Sequence, residues 1–115
     1  MTASDCLFCK IAGGEMDAEV VHETDGVLAF RDINPAAPSH VLVIPKRHVA
    51  SARELGRGDG DLVAELFEAL AVVAEAERLS SGYRIVTNVG PDAGQSVPHL
   101  HLHLLGGRTL HWPPG

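Results

Sequence analysis

The chain has 115 residues, 45 % of them hydrophobic, and a formal charge of −6. That length supports one domain, residues 1–115, with a single core and a large surface share, so a dimer would be unsurprising. The acidic balance argues against a nucleic-acid binder, no apolar run reaches a membrane span, and Met1–Asp5 lacks the plan of a secretion signal, so a cytoplasmic location is expected.

Cys6 and Cys9, the only cysteines, form a Cys-x-x-Cys pair at the start of the chain. A reducing cytosol disfavours a structural disulfide, and redox motifs of this kind normally follow a βαβ pattern. Two thiolates at this spacing suit half of a tetrahedral zinc site, with His48 and His99 as the candidates to complete it. Two buried thiols and redox use are the alternatives.

Leu7–Ala12 reads as a short helix stopped by Gly13-Gly14. Glu19–Glu23 and Val27–Asp32 read as strands joined by a hairpin at Thr24-Asp25-Gly26. Ile33–Ser39 holds Pro35 and Pro38 and is a loop. His40 then leads into a third strand, Val41–Ile44, ended by Pro45.

Ser51 and Glu54 have capping-box spacing for a short helix that stops at Gly56, and Arg57–Gly60 reads as a linker. Asp61–Leu79 is the main helix, with Leu62, Leu66, Leu70 and Val73 as its core stripe. Its Glu65, Glu68, Glu75 and Glu77 are expected on a solvated face. Tyr83–Thr87 is the fourth strand and Leu100–Leu105 the fifth. The tail, 106–115, is too rich in glycine and proline for a helix, yet its Trp112 is the only tryptophan and is expected to dock on something. Strands with one long helix and no βαβ alternation give an α+β fold on an antiparallel sheet.

The most informative segment is Pro98-His99-Leu100-His101-Leu102-His103-Leu104-Leu105. Strand periodicity puts its imidazoles on one face and its leucines on the other. Upstream, Asn88–Ser96 is a turn-rich loop with free N–H groups and a hydroxyl, so the two together suggest a phosphate-handling site. Three alternating imidazoles suit nucleophilic catalysis, a metal site or a structural array, and nucleophilic catalysis is favoured.

His99-x-His101-x-His103-Leu104-Leu105 resembles the histidine triad motif. Asp5–Ile11, Ala37–Lys46, Gly94–Val97 and His111–Gly115 are similar to the Hint branch of that superfamily, so the resemblance runs from about Asp5 to Gly115. Pro98 departs from it, standing where an aromatic residue is often found. The resemblance implies a homodimer whose five-stranded antiparallel sheets continue across the interface, with one long helix and a short N-terminal helix per subunit. It implies hydrolysis of purine nucleoside phosphoramidates to AMP or GMP and an amine. The paired cysteines support a structural Zn²⁺ on Cys6, Cys9, His48 and His99, one that catalysis itself does not need.

On this resemblance His101 is the nucleophile, His103 bonds a phosphate oxygen or the leaving group, and His99 supports the array. Gly94, Gln95 and Ser96 form the phosphate loop, with the Ser96 hydroxyl near the leaving group. Asn88 orients phosphate or ribose, and His40 braces the site. Asp32 accepts the ribose hydroxyls. Phe8, Ile11, Phe30, Ile33 and Leu42 line the purine slot, and Trp112 reaches the neighbouring subunit's site. A dinucleoside polyphosphate hydrolase of Fhit type and a nucleotide-binding regulatory module with little turnover are the alternatives.

Overall fold

A computed structural model describes residues 5–115; residues 1–4, which belong to the segment read as lacking a secretion signal, lie outside the described residues. The elements are α1 (Leu7–Ala12), β1 (Val20–Glu23), β2 (Val27–Arg31), β3 (Ser39–Pro45), α2 (Gly60–Ala76), β4 (Tyr83–Val86) and β5 (Leu102–Gly106). The strands form one antiparallel sheet in the order β1-β2-β3-β5-β4. The fold is therefore α+β, with one long helix and one short N-terminal helix. No described helix is long and apolar enough to cross a membrane.

Alternation along the central strands builds a core on each face of the sheet. Val27, Ala29, Val41, Val43, Leu102 and Leu104 pack under α2 with Leu66, Leu70 and Val73. Leu28, Phe30, Leu42 and Ile44 face the other way and pack with Cys6 and Phe8 of the α1 region. Because both faces are covered, β2 and β3 read as nearly unbroken apolar runs.

The hairpin at Asp25-Gly26 is tied to α2. The Glu65 carboxylate accepts from the Thr24 hydroxyl and from the Gly26 N–H. A Cβ at position 26 would stand 2.8 Å from a Glu65 oxygen, so a side chain there would displace the Glu65 carboxylate from this tie.

Several expectations need correction. Glu65 and Glu77 do not lie on a solvated face. Glu77 accepts two bonds from the Arg31 guanidinium, at 2.6 and 2.9 Å, and one from the Ser39 hydroxyl at 2.6 Å. Those partners hold its carboxyl down at about 2, the Arg31 hydrogen bonds first and the Ser39 bond next. The main helix ends at Ala76 rather than Leu79, because Glu77 caps it and Arg78 turns to a φ of 60°. Arg57–Asp59 is a 3-10 turn rather than a free linker, closed by the Asp59 carboxylate accepting from the Gly56 N–H.

The fifth strand starts at Leu102, two residues later than the histidine pattern predicts. Pro98 has no N–H, the His99 N–H turns back to the Val97 carbonyl, and the Leu100 N–H donates to the Val49 carbonyl. Of His99, His101 and His103, only His103 therefore sits within a ladder strand. The alternation survives, since Leu100, Leu102 and Leu104 all enter the core beneath α2.

Candidate active site and metal cluster

His103 stands on β5 opposite Leu42 of β3 and Val86 of β4, on the α1 side of the sheet. His101 precedes it by two residues, with ring centroids 5.1 Å apart. Phe8 of α1 meets the His101 ring edge to face at 5.1 Å and the His99 ring at 6.0 Å. A residue in a six-residue helix thereby positions two of the three imidazoles.

The backbone decides which nitrogen of each ring carries its proton. A carbonyl oxygen accepts only, so His101 Nδ1–H donates to the His99 carbonyl at 2.7 Å, and Nε2 keeps the lone pair of the neutral ring. Likewise His99 Nε2–H donates to the Pro45 carbonyl at 2.8 Å, which leaves its Nδ1 as the acceptor.

His40 is set from the other direction. The Ala36 N–H donates to His40 Nδ1 at 3.0 Å, so the His40 proton sits on Nε2. That Nε2–H donates to His103 Nδ1 at 2.9 Å, with an Asp32 carboxylate oxygen 3.4 Å away. His103 Nδ1 is then an acceptor and its Nε2 a donor. Burial lowers the pKa of His40, against the pull of Asp32. Burial first, then the His101 and His40 charges, push His103 down to about 4. The outcome is a lone pair on His101 beside an N–H on His103. Such a pair can attack phosphorus at one atom and donate to an oxygen or nitrogen at the other.

The loop upstream is built to present its backbone. Gln95 accepts from the Gly90 N–H at 3.0 Å and donates to the Ala50 and Val97 carbonyls at 2.8 and 3.1 Å. Its side-chain amide holds the loop in this shape. Gly94 has a φ of 83°, a conformation that favours glycine. Gly94 and Ser96 are exposed, and Asn88 is half-buried. Thr87, not singled out from sequence, donates its hydroxyl to the His101 carbonyl at 2.9 Å.

Phe8, Phe30 and Leu42 are buried together, with Ile11 partly buried against them. Ile33, expected with this group, is 91 % exposed in the bend beyond Asp32, where the Asn34 N–H donates to the Asp32 carboxylate. Trp112 is 80 % exposed in the single chain, although the His111 carbonyl before it accepts from Arg84. A separate cavity of about 690 Å³ lies between Arg78, Tyr83, Arg84 and Arg108, and none of the histidines lines it.

Cys6, Cys9, His48 and His99 bring their ligand atoms within 4.8 Å of one another. Tetrahedral zinc, with Zn–S of about 2.3 Å and Zn–N of about 2.0 Å, sets neighbouring sulfur and nitrogen about 3.5 Å apart. Here Cys6 Sγ and Cys9 Sγ lie 3.2 and 3.4 Å from His99 Nδ1, and Cys9 Sγ lies 3.3 Å from His48 Nδ1. The donor set therefore fits zinc. Burial, then the hydrogen bond and charge of Cys6, push the Cys9 thiol up to about 11, and a bound cation would favour its thiolate. Asp32, His40 and His103 also converge. Their nitrogens already share a hydrogen bond, and His40 Nδ1 is taken by backbone.

Residues 13–110 match the HIT domain family. A 14 kDa zinc-binding protein of Zea mays is 47 % identical over 97 % of this chain and 89 % of its own length. The crystal structure of a HIT family hydrolase from Legionella pneumophila superposes with a TM-score of 0.93 at 53 % identity, covering 96 % of this chain and 99 % of that one. A histidine triad nucleotide-binding protein from Candida albicans superposes at 0.81 with 31 % identity, covering 94 % and 82 %.

Proposed function

The chain belongs to the HIT domain family, and on that premise we propose that it hydrolyses purine nucleoside phosphoramidates through a nucleotidyl intermediate on His101. The observation that carries this is the 2.7 Å bond from His101 Nδ1 to the His99 carbonyl, which leaves Nε2 free to attack. The names of similar proteins, a hydrolase and a nucleotide-binding protein, agree in class with that chemistry.

In the first step His101 Nε2 bonds to the α-phosphorus and the P–N bond breaks. The departing nitrogen needs a proton to leave as an amine, and the Ser96 hydroxyl and His103 Nε2–H are the donors at hand. Backbone N–H groups from Gly94 to Ser96 stabilise charge on the phosphoryl oxygens. Asp32 accepts the ribose hydroxyls, Asn88 orients phosphate or ribose, and the Phe8, Ile11, Phe30, Ile33 and Leu42 side receives the base. In the second step water cleaves the nucleotidyl-imidazole and releases AMP or GMP.

Zinc on Cys6, Cys9, His48 and His99 supplies a structural crosslink between α1 and the triad. A cytoplasmic homodimer with the sheet continued across the interface completes the reading, with Trp112 placed to reach the neighbouring site. The test is AMP release from adenosine 5′-phosphoramidate, with diadenosine polyphosphate as comparator. Wild type should prefer the phosphoramidate and His101→Ala should lose about 10³-fold or more in rate. Full activity in that variant rules out the nucleophile, and AMP binding without turnover of any phosphoramidate favours a regulatory module.

A further inference from the structure

His99 Nδ1 sits at a place where only some partners can serve it. The ring is fully buried and its Nε2–H is committed to the Pro45 carbonyl, so Nδ1 must receive a metal ion or a donated proton. With zinc it has the metal. With two reduced thiols it has an S–H of Cys6 or Cys9, at 3.2 and 3.4 Å. A disulfide sulfur carries no proton and offers neither.

The cysteine pair is positioned to reach that third state. Cys6 caps α1 and its Sγ accepts from the Cys9 N–H at 3.4 Å, so the two side chains converge on one side of the first turn. Their sulfurs lie within 4.8 Å of each other, and Cys9 is only partly buried.

We propose that Cys6 and Cys9 form a redox modification site, at which hydrogen peroxide converts the zinc-bound pair to a disulfide, expels zinc and leaves His99 Nδ1 without a partner. The Cys9 thiolate attacks the peroxide oxygen and gives a sulfenic acid while the other oxygen leaves as water. The Cys6 thiolate then attacks the Cys9 sulfur and expels a second water. Each sulfur gives up one electron and the peroxide takes two; two protons from solvent complete both waters, and Zn²⁺ departs as its thiolate ligands disappear.

The consequence passes to the nucleophile along a short path. The carbonyl of His99 holds His101 Nδ1–H, and the Phe8 ring, between the two cysteines in sequence, rests on both imidazoles. A disulfide across so short a loop gains little from chain entropy to offset an orphaned buried nitrogen. Chelation and oxidation are therefore different events. Chelation leaves thiols that still serve His99; oxidation does not.

The effect on turnover rests on the proposed hydrolase reading, whereas the oxidation chemistry does not. Zinc-loaded protein is titrated with hydrogen peroxide, and zinc release, alkylation-resistant thiols by intact mass, Tm and AMP release are followed. A parallel sample is chelated under reducing conditions. The expected result is one zinc released per intramolecular disulfide, reversed by dithiothreitol with added zinc. The oxidised form should melt at least about 4 °C below the chelated dithiol and turn over about tenfold more slowly. Cys9→Asp, which keeps an oxygen ligand for zinc, should lose peroxide-triggered release; if it does not fold, the wild-type arms still decide. Thiols that stay alkylatable, sulfinic acid in place of a disulfide, or equal Tm for oxidised and chelated protein overturns the proposal. Absence of phosphoramidate turnover in untreated protein overturns the hydrolase reading instead and leaves the mass, zinc and Tm results standing.

Discussion

His40 Nε2 and His103 Nδ1 lie 2.9 Å apart, and the direction of that hydrogen bond is dictated by the Ala36 N–H on the far side of His40. One backbone donor in a proline-rich loop thus decides which face of His103 carries a proton. His40→Ala removes the donor and frees His103 to take the other tautomer. A fall in kcat of about ten- to a hundredfold is expected, with KM changed less. Nitrogen chemical shifts should show the His103 proton on Nε2 in wild type and spread over both nitrogens in the variant. Unchanged shifts with unchanged kcat would show that His40 has no positioning role.

The protonation of His103 gives a second expectation. Its pKa is pushed from the ordinary 6.5 down to about 4, chiefly by burial. Below 6.5 the unfolded chain takes up a proton that the folded ring refuses until about 4. Stability from this group is therefore complete above 6.5, falls as pH drops through that window and levels off below about 4. Imidazole resonances followed by NMR should leave His103 untitrated between neutrality and about pH 5. A midpoint near the ordinary value contradicts the burial seen here.

Glu77 gives the opposite kind of test, on stability alone. Its carboxyl is held at about 2, below the ordinary 4.5, first by Arg31 and then by Ser39. The stabilisation is complete above 4.5 and lost as pH falls toward 2. Glu77→Gln should cost about 1–3 kcal/mol by urea denaturation, while Glu68→Gln on the exposed side should stay within about 0.5 kcal/mol. Equal effects would mean that the Arg31 pair contributes nothing.

Zinc content is checked by elemental analysis of protein purified without a histidine tag. About one zinc per chain is expected, and its removal under reducing conditions should lower Tm by several degrees while kcat stays within about twofold. Loss of turnover on chelation alone would make the ion catalytic.

The strands were legible because β2 and β3 are short apolar runs bounded by turn residues, the form taken by strands covered on both faces. His99, His101 and His103 stood out because they alternate with leucines. What the sequence hid are contacts between distant segments. Glu77 looks like any surface glutamate until Arg31 and Ser39 meet it, and the bond from the Gln95 amide to the Ala50 carbonyl, 45 residues away, leaves no local signal. The late start of β5 follows from Pro98 and from a carbonyl of Val49, which lies about half the chain away and leaves no local signal.

The most direct measurement quenches the protein in acid-sparing conditions during turnover of an adenosine phosphoramidate and maps the modified peptide by mass spectrometry. An adenylyl group on the imidazole of His101, absent from the His101→Gly protein, is the predicted result. Label recovered on any other side chain, or none captured while AMP accumulates, contradicts covalent catalysis at that ring.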